Sequence, residues 1–317
     1  MVSAAGAIGS CSTQAGPASV PAGGASPSAA AVPSDQVSAS ARPRIPASPQ
    51  GGVRTLVTPP AGRAPTTSYA VEQRHLALQR GKARPLPTTV WAPAAGKPGP
   101  FPLILFSHGL TSEPSAYAKL LSAWAKAGFV VAAPAFPHTS HGVAHLDPLD
   151  VANQPADASY VISQLIALNS KAGDALHGRI DTTRIAAAGH SAGGITTIGM
   201  FTSNRDSRLD AGIVLAGAQV LAVPFSGPAA PLLFVHGKLD NTVPYAGGLA
   251  AFKAVPWSRA MLTVTKGGHV AIATDFAPVI ATTTDFLRWS LYGDATAKAR
   301  LPADATAGGD ATLTDQL

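Results

Sequence analysis

A serine, an aspartate and a histidine, each just past an apolar run, are the residues best placed by type and spacing to do chemistry. Ser191 lies in Gly189-His190-Ser191-Ala192-Gly193, directly after Ile185-Ala186-Ala187-Ala188. The pattern predicts a buried strand, a G-x-S-x-G turn and a helix beginning near Gly194. Small residues on either side of Ser191 let that turn close, and the helix N-terminus aims backbone N–H groups at negative charge that develops there. Asp240 follows the strand pattern Pro231–Gly237, and His269 follows the strand pattern Ala260–Thr265 on a loop loosened by Gly267 and Gly268. Ser, then Asp, then His is the chain order that strand–turn–helix nucleophiles use, and the chemistry would be acyl transfer. Ser191 would attack, His269 would take and return its proton, and Asp240 would hold the imidazole tautomer.

Each role has rivals. Asp240 before Asn241 is also ordinary turn chemistry. His236, in a strand-end His-Gly, reads as structural, and His190 is too close in sequence to Ser191 to serve as its base. Asp275 and Asp210 are weaker acids: the first comes after the histidine, and the second opens the strand before the one feeding Asp240. The reaction also needs oxyanion donors. The N–H of Ala192 is one, and the loop His108-Gly109-Leu110, after the strand Pro102–Ser107, offers the N–H of Leu110 as the other. The same loop also provides Thr111 or Ser112 to cap a helix starting near Pro114.

With these residues in place the chain resembles the α/β-hydrolase superfamily over roughly residues 66–293. The segments LILFSHGL, NQPADASYVISQL and DTTRIAAAGHSAGG are similar to the single-domain esterases grouped with dienelactone hydrolase. That group includes platelet-activating-factor acetylhydrolases, chlorophyllase and bacterial cutinase-like polyester hydrolases. The resemblance implies a mostly parallel central sheet with helices on both faces, no cofactor, no metal, and ester hydrolysis through an acyl-enzyme. The chain departs from the polyester hydrolases in having Leu110 where they carry an aromatic residue and Ala192 where they carry Met. Its single cysteine cannot form their C-terminal disulfide.

These residues need elements to hold them. Ser68–Leu78 and Pro85–Trp91 read as an antiparallel strand pair, Ser115–Ala127 as a helix, Phe129–Ala133 as a strand, and Asp157–Asn169 and Thr274–Tyr292 as helices. Strands and helices alternating over residues 66–293 predict one α/β domain. The strand Ala211–Gly217 and the next, near Pro231, are separated by about 13 residues, too few for a helical cap, so an open cleft is expected. Residues 1–65, rich in Ala, Ser, Pro and Gly, read as a disordered leader and linker, and 294–317 as a loose tail.

Charge and cysteine limit the partners. The net charge is +6 and only 13% of residues are charged, which with no basic stripe excludes a nucleic-acid-binding surface. No run of 18 apolar residues predicts a membrane span. The lone Cys11, after Ala7-Ile8-Gly9-Ser10, resembles a bacterial lipoprotein lipidation site, although no basic region and only a short apolar stretch precede it. An exported enzyme held at the cell envelope by a lipid on Cys11 is therefore expected, with the cytoplasm as the alternative. His138, His141, His145, Asp147 and Asp150 cluster in one loop, but their spacing fits no compact metal motif and reads as the rim of the cleft. The function expected is serine-dependent hydrolysis of a small or lipid-like carboxylic ester of short to medium acyl chain. A polyester hydrolase, a thioesterase or peptidase with the same triad, and a non-catalytic binding protein of the same fold remain alternatives.

Overall fold

The apolar runs become strands because each is buried from both sides. The computed structural model describes residues 55–59, 62–96, 99–269 and 276–317. Among these residues nine strands form one sheet: β1 Val71–Arg80, β2 Arg84–Pro93, β3 Phe101–Ser107, β4 Val130–Pro134, β5 Ile180–His190, β6 Leu209–Leu215, β7 Leu232–Gly237, β8 Arg259–Val264 and β9 Ala311–Gln316. Their spatial order is β1-β2-β4-β3-β5-β6-β7-β8-β9. The six from β4 to β8 in that order are parallel, β2 and β9 run against them at the margins, and β1 pairs antiparallel with β2. The chain has an α/β-hydrolase fold, and β3, β4 and β7 are buried at every residue, as strands covered on both faces must be.

Six α-helices are described: α1 Ala118–Lys126, α2 Gln154–Ser170, α3 Ala192–Gly199, α4 Tyr245–Ala254, α5 Ala277–Tyr292 and α6 Ala295–Thr306. Alternate residues of β3 part the core. Ile104 and Phe106 join α1, α5 and α6 on one face, while Leu103 and Leu105 join α2, α3 and α4 on the other. Residues 216–231, between β6 and β7, contain no helix, so no cap domain is inserted there.

The ends of the domain differ from expectation. Residues 294–317 are not a loose tail. Asp294 caps α6 through the Ala297 N–H at 3.0 Å, Leu301 and Ala305 are buried, and β9 pairs with β8 from Arg259↔Gln316 to Val264↔Ala311. The polar composition hid this, because β9 turns only Ala311 and Leu313 to the core and is otherwise held by backbone pairing with the edge of β8. The domain also begins before residue 66. Thr55 accepts from the Ser258 N–H at 3.1 Å, the Val57 N–H donates to Ser258 Oγ at 3.0 Å, and Pro65 O accepts from Arg288 at 2.9 Å. Cys11 and the linker expected over residues 12–50 lie outside the described residues. Among the described residues, no helix is long and apolar enough to cross a membrane.

Candidate active site

Close packing dictates the turn after β5. A side chain at Gly193 would collide with the carbonyl of Ser107 on β3, and one at Gly189 with the carbonyl of Gly193, so both must be glycine. Ser191 between them is forced to φ 56°, ψ −118°, a strained conformation for a residue with a side chain. Its N–H donates to Leu215 O of β6 at 2.9 Å, which fixes the bend against the next strand. Two more non-glycine residues among those described have positive φ, Thr111 (56°) and Ala216 (46°), and both lie just past the C-terminal ends of the neighbouring strands β3 and β6.

The loops after β7 and β8 bring Asp240 and His269 to Ser191. His269 Nε2 lies 2.8 Å from Ser191 Oγ, and His269 Nδ1 lies 2.7 Å from Asp240 Oδ2. An ionised carboxylate only accepts, so Nδ1 carries the ring proton and Nε2 offers a lone pair to the serine hydroxyl. The Asp240 side chain is fully buried and that of His269 nearly so. Burial opposes the charge on Asp240. The hydrogen bonds from His269 and from the N–H groups of Val243 and Thr242 outweigh it, and hold the carboxyl below its ordinary range. Both readings of Asp240 are thus present at once: Oδ1 closes the turn through Thr242 and Val243, each at 2.9 Å, and Oδ2 faces the histidine.

Leu110 and Ala192 flank the serine. A Cβ at Gly109 would stand 3.4 Å from Ser191 Cβ, so the Gly109 loop runs directly over Ser191. The turn there uses Thr111 N–H to Thr139 O at 2.7 Å and Ser112 N–H to Gly109 O at 3.1 Å; the N–H of Leu110 takes part in neither. Ala192 opens α3, where a helix leaves its first N–H groups without an intrahelical acceptor.

Two further residues enter that spacing alone did not assign to the site. His190 Nε2 lies 2.8 Å from the His269 carbonyl, and since a carbonyl only accepts, Nε2 carries the proton. Burial pushes the His190 imidazole down to about 4, so it is neutral and its Nδ1 accepts from Tyr117 OH at 2.9 Å. Tyr117 OH in turn accepts from Gly109 N–H at 3.0 Å. One directed chain therefore joins the Gly109 loop, the turn and the backbone of His269. Nothing in the sequence distinguishes this Tyr117 from a core aromatic on the face of a helix.

The remaining candidates have other work. His236 Nε2 donates to Val243 O at 2.8 Å and lies 3.4 Å from Asp240 Oδ2, bracing the loop that carries Asp240. Asp210 accepts from Ile185 N–H at 3.0 Å at the opposite end of the strands from Ser191. Asp275 lies outside the described residues. In the histidine-rich loop Asp147 caps a short helical turn through Leu149 N–H, and Asp150 pairs with Arg84 at 2.7 Å. Among the described residues, no group of three or more His, Cys, Asp or Glu is placed to hold a metal ion.

Comparison with known families divides the chain in two. The chlorophyllase family model matches residues 60–220, which include the Gly109 loop and the Ser191 turn. The TAP-like protein family model matches residues 217–292, which include Asp240 and His269. No curated protein matches the chain.

Proposed function

The chain belongs to the chlorophyllase family, within the α/β-hydrolase superfamily, and from that premise we propose that it hydrolyses carboxylic esters through an acyl-enzyme on Ser191. The observation that carries this is the row Ser191 Oγ–His269 Nε2 at 2.8 Å and His269 Nδ1–Asp240 Oδ2 at 2.7 Å, set beneath the Gly109 loop. His269 Nε2 takes the hydroxyl proton as Ser191 Oγ adds to the ester carbonyl. The N–H groups of Leu110 and Ala192 receive the oxyanion, where each such donor is worth about 10²–10³ in rate. His269 returns the proton to the departing alcohol, and the acyl group stays on Ser191. Water, deprotonated by the same nitrogen, then releases the acid. Asp240, ionised and sealed from solvent, keeps the proton on Nδ1 and balances the imidazolium.

The test is covalent labelling with a fluorophosphonate alongside hydrolysis of p-nitrophenyl acetate. The wild-type protein is expected to label at Ser191 and turn over the ester. Ser191→Ala should fold, fail to label, and lose about 10⁴-fold or more in kcat. A folded wild-type protein that neither labels nor hydrolyses would overturn the reading in favour of a binding protein.

A further inference from the structure

Gln154 opens α2 and is fully buried, although glutamine is a side chain that usually stays in water. Both ends of its amide are used. Nε2 donates to Thr139 Oγ1 at 2.6 Å, and Oε1 accepts from Thr196 Oγ1 at 2.6 Å. Thr139 and Thr196 are buried as well. A position that served packing alone would be filled as well by an aliphatic side chain between apolar neighbours, because a buried amide must recover in hydrogen bonds what it loses on leaving water. Its own place is fixed. Arg84 of β2 holds Asp150 at 2.7 Å and Asp157 at 2.9 Å, one on each side of Gln154 in the chain. Pro155, the next residue, fills the space that a Cβ at Gly199 of α3 would need.

The two hydroxyls that the amide joins belong to the two halves of the oxyanion site. Thr196 lies one turn along α3 from Ala192, whose carbonyl its Oγ1 also reaches at 3.0 Å. Thr139 lies in the loop after β4, and its carbonyl accepts the N–H of Thr111, the neighbour of Leu110, at 2.7 Å. Ala192 and Leu110 stand on separate loops, and Gln154 bridges them. Tyr117 holds the Gly109 side of Leu110, and the Gln154 bridge holds the Thr111 side. We propose that Gln154 is a positioning residue for the oxyanion site: by joining Thr196 to Thr139 it sets the spacing between the N–H groups of Ala192 and Leu110. This rests on the ester-hydrolase reading above. The amide acts through two stretches of backbone, and its hydrogen bonds are spent on Thr139 and Thr196. The donors it spaces matter most once the carbonyl oxygen has gained charge, so a loosened bridge lowers kcat and leaves KM in place.

The test uses the full chain with p-nitrophenyl acetate as substrate and an alkyl trifluoromethyl ketone as inhibitor. Ser191 Oγ adds to the ketone carbon, its proton passes to His269 Nε2, and the carbonyl oxygen becomes an oxyanion held by the same two N–H groups. Gln154→Met keeps the volume and removes the amide. It is expected to lower kcat about tenfold, a fraction of the 10²–10³ that a whole oxyanion donor is worth, with KM nearly unchanged. Inhibition by the ketone should weaken by the same factor. Gln154→Met also withdraws the donor to Thr139 Oγ1 and so costs stability. The variant Gln154→Met/Thr139→Val/Thr196→Val removes the stranded hydroxyls too. It should melt near wild type while kcat stays about tenfold down, because an apolar trio restores the packing without the bridge. Recovery of wild-type kcat in the triple variant, a loss carried by KM, or unchanged inhibition by the ketone would overturn the proposal. In each of those cases the wild-type protein still labels and turns over, and the ester reading stands. A wild-type protein that neither labels nor hydrolyses would sink the ester reading, and the oxyanion role of Gln154 with it.

Discussion

Removing one oxygen, by Tyr117→Phe, would leave the ring in the core beside Phe106 and withdraw both the acceptor of Gly109 N–H and the donor to His190. The loop bearing the Leu110 N–H would lose its tie to the elbow, and so would the histidine whose carbonyl His190 holds. Neither loss touches the substrate in its ground state. Tyr117→Phe is expected to lower kcat on p-nitrophenyl acetate about tenfold, about 1.4 kcal/mol of transition-state stabilisation, with KM nearly unchanged. The buried groups left unpaired will also cost stability, about 1–3 kcal/mol. The kcat-against-KM split therefore decides: a rise in KM at constant kcat would mean that the hydroxyl only supports packing. His190, neutral above about pH 4, keeps this chain of donors pointing one way throughout the working range of an imidazole base.

The elements that carry the site were legible because their signals are local. Ile185–Ala188 of β5 before Gly189, Leu232–Gly237 before Asp240 and Arg259–Val264 before His269 are short buried runs that end just before the candidate site residues. The C-terminal helix and strand were not legible, since the apolar period of α6, Ala297, Leu301 and Ala305, and that of β9, Ala311 and Leu313, are short and made mostly of small residues within a polar segment. Helix α4, with Gly247 and Gly248 inside it, carried too weak a pattern to be assigned. Tyr117 closes the short 3-10 turn that leads into α1, and its hydroxyl is invisible to the sequence, because periodicity reports which face is buried and says nothing of a polar tip. Helix α6 also brings its own pH dependence. The Asp304 carboxyl is raised from 3.8 to about 6, by burial first and by the facing Asp285 second. A carboxyl that holds its proton more tightly folded than unfolded makes folding less favourable as pH climbs through that window. The wild-type protein should lose part of its stability between about pH 4 and 6. Asp304→Asn should melt higher than wild type at pH 8, and the gap should close by pH 4. A gap that persists unchanged at pH 4 would show that the carboxyl's charge is not its source.

At the scale of the molecule, the three non-glycine residues with positive φ among the described residues gather at the ends of three adjacent strands: Ser191 itself, with Thr111 and Ala216 on the strands either side. Strain of this kind costs about 1–3 kcal/mol per residue. Together the three represent a sizeable share of the roughly 5–15 kcal/mol by which a native domain outlasts its unfolded chain. The six-stranded parallel centre, with both faces covered, supplies the stability that holds them there. Thr111 is the clearest case, being exposed, β-branched and at φ 56°. Thr111→Gly should raise the melting temperature by about 2–4 °C, since relief of the backbone exceeds the added freedom of the unfolded chain. It should also lower kcat, because the Leu110 N–H would no longer be held in place. A fall in melting temperature would show the turn to be unstrained. Selection for heat tolerance alone would therefore find its easiest gains along this one edge and would pass on sturdier, slower proteins. A screen that scores turnover after heating would be pushed instead toward the far margins, β1 and β9, where robustness and rate do not compete.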